Sequence, residues 1–267
     1  MCKVLKVGRS GFYAWQRRPK SKRQLENEML LDKIKNIHEK KRKIYGYPRI
    51  TQVLRRDINI GKNRVHRIMK SNGLKSKTVK KRKICTTDSK HNLPVAENIL
   101  NQNFNAENKC QKWVSDITYV PTGEGFLYVA GILDLYDRSI VGWAMETHMR
   151  KELVIEALNQ AILRTNPSKG LLLHSDRGSQ YCSNKYQEII RNNCFVCSMS
   201  RKNNCWDNAP MESFWGKLKS EWLCDMKLKS ISQAKAAVFE YIEIFYNRDR
   251  LHSSLGYITP IQKNKAS

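Results

Sequence analysis

Residues 112–146 read KWVSDITYVPTGEGFLYVAGILDLYDRSIVGWAME. From Lys112 to Val120 the side chains alternate. Trp113, Ser115, Ile117 and Tyr119 point one way and Val114, Asp116, Thr118 and Val120 the other, which is the period of a strand. Gly123-Glu124-Gly125 supplies a turn and Phe126 to Tyr136 a second strand. Asp137-Arg138-Ser139 turns again into a third strand, Ile140 to Glu146. Three strands joined by tight turns predict an antiparallel meander. Strands disfavour Asp, so a carboxylate at position 116 calls for a partner.

Downstream the period changes. Lys151 to Arg164 spaces Val154, Ala157, Leu158, Ala161 and Ile162 as one helical stripe, and Gly170 closes that section. Leu171 to Asp176 is short and apolar, as a strand buried on both faces in parallel pairing is. A helix over about 184–193, a strand over 195–200 and helices near 210–222 and 231–247 follow, the last opening with a capping box, Ser230-x-x-Gln233. The order β-β-β-α-β-α-β-α is that of the ribonuclease-H-like fold. The predicted class is therefore α/β, a mixed five-stranded sheet with helices.

Upstream the chain reads as all-α. VGRSGFYAWQRRP, within residues 1–20, suits two short helices around a glycine turn. Residues 24–73 suit three more. Leu31, Ile34 and His38 share one face of the first. A turn follows at Tyr45-Gly46-Tyr47-Pro48, then a helix with Ile50, Val53 and Leu54. The third, Lys62 to Lys70, is closed by Asn72-Gly73. Short helices, sharp turns and many basic residues fit a helix-turn-helix module. Its third helix would expose Lys62, Asn63, Arg64, Arg67 and Lys70. Residues 75–92, with Lys80, Lys81, Arg82 and Lys83, have few apolar side chains and read as a basic linker that contacts a polyanion or is a plain tether. The expected organisation is 1–74 helical, 75–104 linker, 105–267 catalytic core with C-terminal helices.

Charge supports that division. Residues 1–90 hold 28 Lys and Arg against 6 Asp and Glu, so they carry +22 of the formal +25. Solubility does not require basic charge to be confined to one segment, so a polyanionic partner is implied for that part. The longest apolar run, Phe126 to Leu133, is far short of the about 20 residues of a spanning helix. MCKVLKVGRS lacks the apolar centre of a signal peptide, so the expected location is the cytoplasm. The eight cysteines are scattered, as small buried hydrophobes of a reducing compartment are. Cys194 and Cys197 form a CxxC, but a zinc site needs a second ligand pair, and Cys205 and His174 are poorly spaced for it.

Three acids stand out by placement. Asp116 lies in a strand central to the sheet, and Asp176 ends the strand LLLHSD, where ligand sites of α/β sheets gather. Glu212 falls in the first turn of the helix that follows Asp207-Asn208-Ala209-Pro210, beside its apolar stripe of Met211, Phe214, Trp215, Leu218 and Trp222. Converging carboxylates need a cation. Oxygen donors suit Mg²⁺ or Mn²⁺, and a pair of ions suits phosphodiester chemistry. Asp134, Asp137 and Asp207 are read as turn or cap residues.

The spacing and the words around these acids carry a resemblance. Fifty-nine residues separate Asp116 from Asp176 and 35 separate Asp176 from Glu212. The flanking words are WVSDITY at 113–119, HSDRGSQY at 174–181 and SMSRKNNCWDNAPMESFWG at 198–216. YNRDRLHSSLGY at 246–257 and YGYPRI at 45–50 complete the set. Together they resemble the OrfB proteins of two-frame bacterial insertion sequences, DDE recombinases of the retroviral-integrase superfamily.

The resemblance implies a DNA transposase whose Asp116, Asp176 and Glu212 bind the divalent metals and which acts as an oligomer on transposon ends and target DNA. It also implies an upstream-frame partner or fusion. Lys219, two helical turns after Glu212, would contact terminal DNA or stand solvated. Gly216 would allow close approach of DNA or only permit packing. His174 and Gln180 would touch substrate or complete local hydrogen bonds. Retroviral integrases carry an N-terminal zinc module, but Cys2, His38, His66 and Cys85 lack its spacing, so no zinc is expected. Two rival functions are another nuclease on the same fold and a DNA-binding regulator without catalysis. The first does not need the basic helical region and the second does not need the triad.

Overall fold

The computed structural model describes residue 2 and residues 4–77, 93–202 and 204–266. The chain divides into two compact units, Met1–Lys77 and Thr78–Ser267. Among the described residues no helix is long and apolar enough to cross a membrane.

The first unit is helical. α1 spans Arg9–Arg17 and buries none of its residues. The expected helix before it is a turn over residues 4–6. α2 (Lys22–Lys40) starts at a capping box: Ser21 Oγ accepts from Gln24 N and Gln24 Oε1 from Ser21 N. Its buried face is Leu30, Ile34 and His38, so Leu30 takes the place expected of Leu31. That is the i, i+4, i+8 row. α3 (Tyr47–Leu54) takes Tyr47 and Pro48 into its first turn, where a residue without N–H is tolerated. α4 (Lys62–Ser71) buries Val65, Ile68 and Met69 against α2 and α3.

In the second unit the meander is present: β1 (Lys112–Thr122), β2 (Gly125–Asp134) and β3 (Ile140–Glu146) pair antiparallel. β2 stops two residues early because the Asp134 carboxylate accepts from Tyr136 N, Cys110 N and Trp113 Nε1, which folds the chain into its turn. α5 (Lys151–Thr165) leads to β4 (Leu172–Ser175), and α6 (Asn184–Asn192) to β5 (Val196–Met199). The sheet order is β3-β2-β1-β4-β5, with β4 parallel to β1 and β5 parallel to β4. This is the ribonuclease-H-like arrangement that the element order predicts.

α5 and α6 cover one face. Leu153, Val154, Ala157, Leu158, Ala161, Tyr186 and Ile190 pack there on Trp113, Ala130, Ile132 and Leu173. The contact is close: a Cβ on Gly142 would strike the Ala157 carbonyl and lie 2.7 Å from the Ala161 Cβ. α7 (Ala209–Lys217) and α8 (Ile231–Phe239) pack on β1 and β2. Each continues as a wider π-helical segment, Leu218–Leu223 and Glu240–Tyr246, which periodicity did not reveal. The expected capping box of α8 is half formed. Ser230 Oγ accepts from Gln233 N, but Gln233 Oε1 takes the Lys229 N–H instead. α9 (Pro260–Lys265) closes the chain on a Thr259–Gln262 capping box. Residues 98–102, inside the stretch read as linker, are bonded to the core through Asp207 and Ser198.

Candidate active site

The strand register places the first two acids. Lys112 is paired with Leu172 and Val114 with His174, so along the parallel β1–β4 ladder Asp116 falls level with Asp176. Asp116 is opposite Gly131 on β2. A Cβ at Gly131 would sit 2.9 Å from the Trp215 ring and 3.3 Å from the Met211 methyl. Glycine there lets α7 lie directly on the sheet beside Asp116, and α7 carries Glu212 in its first turn. Asn208, just before α7, anchors that helix: its buried Nδ2 donates 3.0 Å to the Ser115 carbonyl. The sequence offered Asn208 only as part of a helix start, and nothing local marks its long-range bond.

The Asp116 carboxyl senses the other two. Burial, then the charge of Asp176 and less strongly that of Glu212, pushes the Asp116 carboxyl well above the ordinary carboxylate range. The Ile117 N–H and the Trp215 indole oppose that shift. Partial burial raises the Glu212 carboxyl as well, though the residue as a whole is exposed. Among the described residues no three His, Cys, Asp or Glu side chains are gathered closely enough to hold one ion. The donors are nonetheless all hard oxygens, on β1, at the end of β4 and on α7, and their mutual repulsion is what a divalent cation relieves.

Asp176 also shapes its own loop. Its Oδ1 accepts from Gly178 N at 2.9 Å. A Cβ at Gly178 would meet that oxygen at 3.1 Å and the Gln180 Oε1 at 2.9 Å, so the glycine leaves room for both side chains. Gln180 Nε2 donates 3.0 Å to the Met149 carbonyl. His174 is fully buried; its Nδ1 lies 2.9 Å from Ser198 Oγ and its Nε2 3.1 Å from Ser200 Oγ. Burial lowers its pKa to about 4, against a smaller opposing effect of Asp207. Both of its ring nitrogens are therefore used inside the protein. Tyr181, the nearest tyrosine to Asp176, is buried with its hydroxyl 3.1 Å from Ser115 Oγ, and burial raises its pKa.

Asp207 is a structural hub. It accepts from Arg201 N, Nε and Nη2 at 2.8, 3.0 and 2.6 Å, and from Asn98 and Gln102. The Arg201 hydrogen bonds hold its carboxyl well below the usual range. Asp207 thereby fastens the turn before α7 to residues 98–102, a role larger than the cap expected of it.

Lys219 is exposed, with Nζ 4.9 Å from the Tyr119 ring centre. Partial burial lowers its pKa and the charge of Asp116 opposes that. At Gly216 an added Cβ would meet nothing within 4 Å, so packing does not require the glycine and the surface there is bare. In the first unit Lys62, Arg67 and Lys70 are exposed on α4. Arg64 is instead tied to α2, through Asn27 at 2.9 Å and Glu26 at 3.0 Å. Lys80, Lys81, Arg82 and Lys83 lie outside the described residues.

Comparison with known proteins follows this division. An "Integrase core domain" profile matches residues 106–205, a second of that description 193–260, and an "HTH-like domain" profile 24–82. The chain is 47% identical over 261 residues to the insertion element IS600 uncharacterized 31 kDa protein of Shigella sonnei, covering 97% of this chain and 96% of that one. It is 39% identical over 265 residues to transposase InsF for insertion sequence IS3A of Escherichia coli, covering 98% and 92%. Among solved structures it is similar to a chain of the simian T-cell lymphotropic virus intasome in complex with PP2A regulatory subunit B56 gamma. There the TM-score is 0.49 at 14% identity over 85% of this chain and 72% of that one. It is also similar to the HTLV-2 integrase catalytic core domain in complex with magnesium, with a TM-score of 0.46 at 17% identity over 59% and 98%. With an integrase core, a helix-turn-helix-like region and identity running along nearly the whole of its relatives, the chain belongs to the OrfB-type transposases of bacterial insertion sequences, which are DDE polynucleotidyl transferases.

Proposed function

We propose that Asp116, Asp176 and Glu212 carry the strand cleavage and strand transfer of this transposase. What supports the reading is their arrangement: Asp116 on β1 level with Asp176 just past the end of the parallel β4, and Glu212 in the first turn of the helix that Gly131 lets pack on the sheet beside Asp116. They would hold Mg²⁺ or Mn²⁺, two ions, which when bound supply charge neutralisation at the reacting phosphodiester. Ionisation of Asp116 depends on that neutralisation. In its absence Asp116 tends to keep its proton, for the reasons of burial and like charge given above.

The remaining residues orient. Asn208 and Asp207 fix the start of α7, and with it Glu212. Gly178 and the Gln180–Met149 bond set the loop that presents Asp176. His174 serves as scaffolding between β4 and β5. With Tyr181 enclosed, no tyrosine beside Asp176 is available as a nucleophile. Ser179, exposed beside Asp176, is read as a turn residue, so water and then a freed 3′-hydroxyl attack directly, without a protein–DNA bond. Lys219 and the bare surface at Gly216 face terminal DNA. Lys62, Arg67 and Lys70, with the basic run Lys80, Lys81, Arg82 and Lys83, bind duplex phosphates. Arg64 acts mainly within its own fold.

The working organisation is 1–74 for DNA binding, 75–104 as connection and 105–267 for chemistry. The protein acts as an oligomer on DNA in the cytoplasm, at the nucleoid, with an upstream-frame partner or fusion.

The test is nicking of a duplex that carries the element's terminal repeats, with Mg²⁺ and with EDTA. Asp116→Asn, Asp176→Asn and Glu212→Gln should each abolish cleavage and joining and leave DNA binding largely intact. Cleavage near the wild-type rate by any one of them removes that residue from the site.

A further inference from the structure

The face of the sheet under α5 is only partly covered, and the uncovered part holds a cavity. β1 and β2 pair so that Tyr119 stands opposite Tyr128 and Pro121 opposite Phe126, and cross-strand partners share a face. α5 begins only at Lys151. Past its reach Ile117, Thr118, Tyr119, Phe126, Tyr128 and Met149 line an open cavity of about 240 Å³. Phe126 is 51% exposed. Its ring meets Tyr119 edge to face, with centroids 5.3 Å apart at 86°, and lies 6.5 Å from Tyr128 at 52°. A wetted sheet face ordinarily carries polar side chains. Three neighbouring rings there keep apolar surface in water that the fold does not need exposed.

The surroundings point to the occupant. Ile117 directly follows Asp116. The carbonyl of Met149 accepts from Gln180, four residues past Asp176. The cavity thus adjoins the loop that carries Asp176 and the strand that carries Asp116, although the Asp116 side chain leaves β1 on the opposite face from Ile117 and Tyr119. At its rim Lys219 Nζ stands 4.9 Å over the Tyr119 ring, a cation where a phosphate attached to a stacked base would lie. The volume is below the roughly 300 Å³ at which drug-sized pockets begin, so it suits one flat ring system rather than an extended ligand. The lining is mainly aromatic and aliphatic, which suits stacking on any base rather than reading one.

We infer that this cavity receives an unpaired nucleobase of the DNA, stacked on Phe126 and Tyr128 beside the reacting strand; the inference rests on the assignment of Asp116 and Asp176 to the chemistry. A second copy of the chain could also cover an aromatic face, but a cationic rim and a one-ring volume favour a base and its phosphate.

The test uses the full-length protein in EDTA, so that no strand is cut, and fluorescence anisotropy with two probes. One is a duplex ending in a short single-stranded thymidine tail. The other is the same duplex with an abasic tail. The wild-type protein should prefer the thymidine tail by about 5- to 150-fold, the range for a stacked base. Phe126→Leu with Tyr128→Leu should erase the preference and leave affinity for the tail-less duplex unchanged, which also reports that the variant is folded. Phe126→Trp should retain it. A 5-iodouracil in the tail should crosslink to β2 on irradiation. Equal binding of the two tails by the wild type, or an undiminished preference in the double variant, overturns the inference. So does a double variant whose only change is weaker self-association by sedimentation, which would assign the face to a second copy. Cleavage plays no part in these measurements. A failure of the triad assignment, seen as cleavage by Asp116→Asn, is therefore separately visible.

Discussion

Replacing Arg250 by Met removes half of an ion pair that the fold encloses. The guanidinium forks onto one carboxylate, Nε to Glu221 Oε2 at 2.6 Å and Nη2 to Oε1 at 2.5 Å, with side-chain exposures of 2% for Arg250 and 14% for Glu221. Burial works against the charge of Arg250, but the Glu221 carboxylate outweighs it and the guanidinium pKa ends above its ordinary value. Breaking a buried pair from one side costs about 3–5 kcal/mol, because an uncompensated charge is left behind. The exposures set the order within that range. Glu221 keeps some water, so Arg250→Met should cost about 3 kcal/mol. Glu221→Met strands the more deeply buried partner and should cost about 5 kcal/mol. Replacing both by Met should recover much of the loss, since neither charge then remains. For a unit of this size about 2–4 °C of melting temperature accompanies each kcal/mol, so Arg250→Met should melt about 6–12 °C lower. Near-UV circular dichroism follows this transition in the full-length chain, because Trp222, Tyr241, Phe245 and Tyr246 cluster around the pair. The reasoning is refuted if Arg250→Met melts with the wild type, or if the double variant loses as much as the two single changes added.

Three further outcomes follow from packing, burial and charge. Gly142→Ala drives a methyl into the Ala157 carbonyl and should destabilise the core by about 3 kcal/mol, whereas Gly216→Ala, with open space around it, should stabilise it by up to about 1 kcal/mol. Urea titration of both variants checks the contrast, and a destabilised Gly216→Ala would contradict it. Burial pushes the Asp134 carboxyl up to about 6 from 3.8, so the folded state holds its proton more tightly than the unfolded one. The stabilising effect is full below pH 3.8 and is lost as the pH rises through 6, at most about 3 kcal/mol. Stability profiles of the wild type and Asp134→Asn should thus diverge across that window, and parallel profiles would count against the shift. Finally, Lys62→Ala, Arg67→Ala and Lys70→Ala should each flatten the log–log salt dependence of DNA binding by about 0.9. Arg64→Ala should lower stability with little change in slope, because its partners are Glu26 and Asn27; a slope change equal to that of Lys62→Ala would place Arg64 on DNA instead.

Much of the architecture was legible in the chain. The period-2 run at 112–120, the apolar stretch ending at Asp176 and the helical stripes determined the order of elements, because backbone geometry ties side-chain direction to sequence spacing. The confinement of basic charge to residues 1–90 marked the end that holds the helix-turn-helix-like region, and the spacing of Asp116, Asp176 and Glu212 singled out three acids. Tertiary structure decided what local pattern cannot encode. The β1–β4 register makes Asp116 level with Asp176, and the bare Gly131 lets α7 approach. His174 turned inward because Ser198 and Ser200 meet its two ring nitrogens, and Asp207 became a hub because residues 98–102 return to meet it. The π-helical segments after α7 and α8 follow no period that a stripe of apolar residues could reveal, since Leu218 and Trp222 are buried in either geometry. A sequence states which residues share a face; which partner covers that face, and so whether a polar side chain there meets protein or water, is set by segments distant in the chain, as Asn98 and Gln102 are from Asp207.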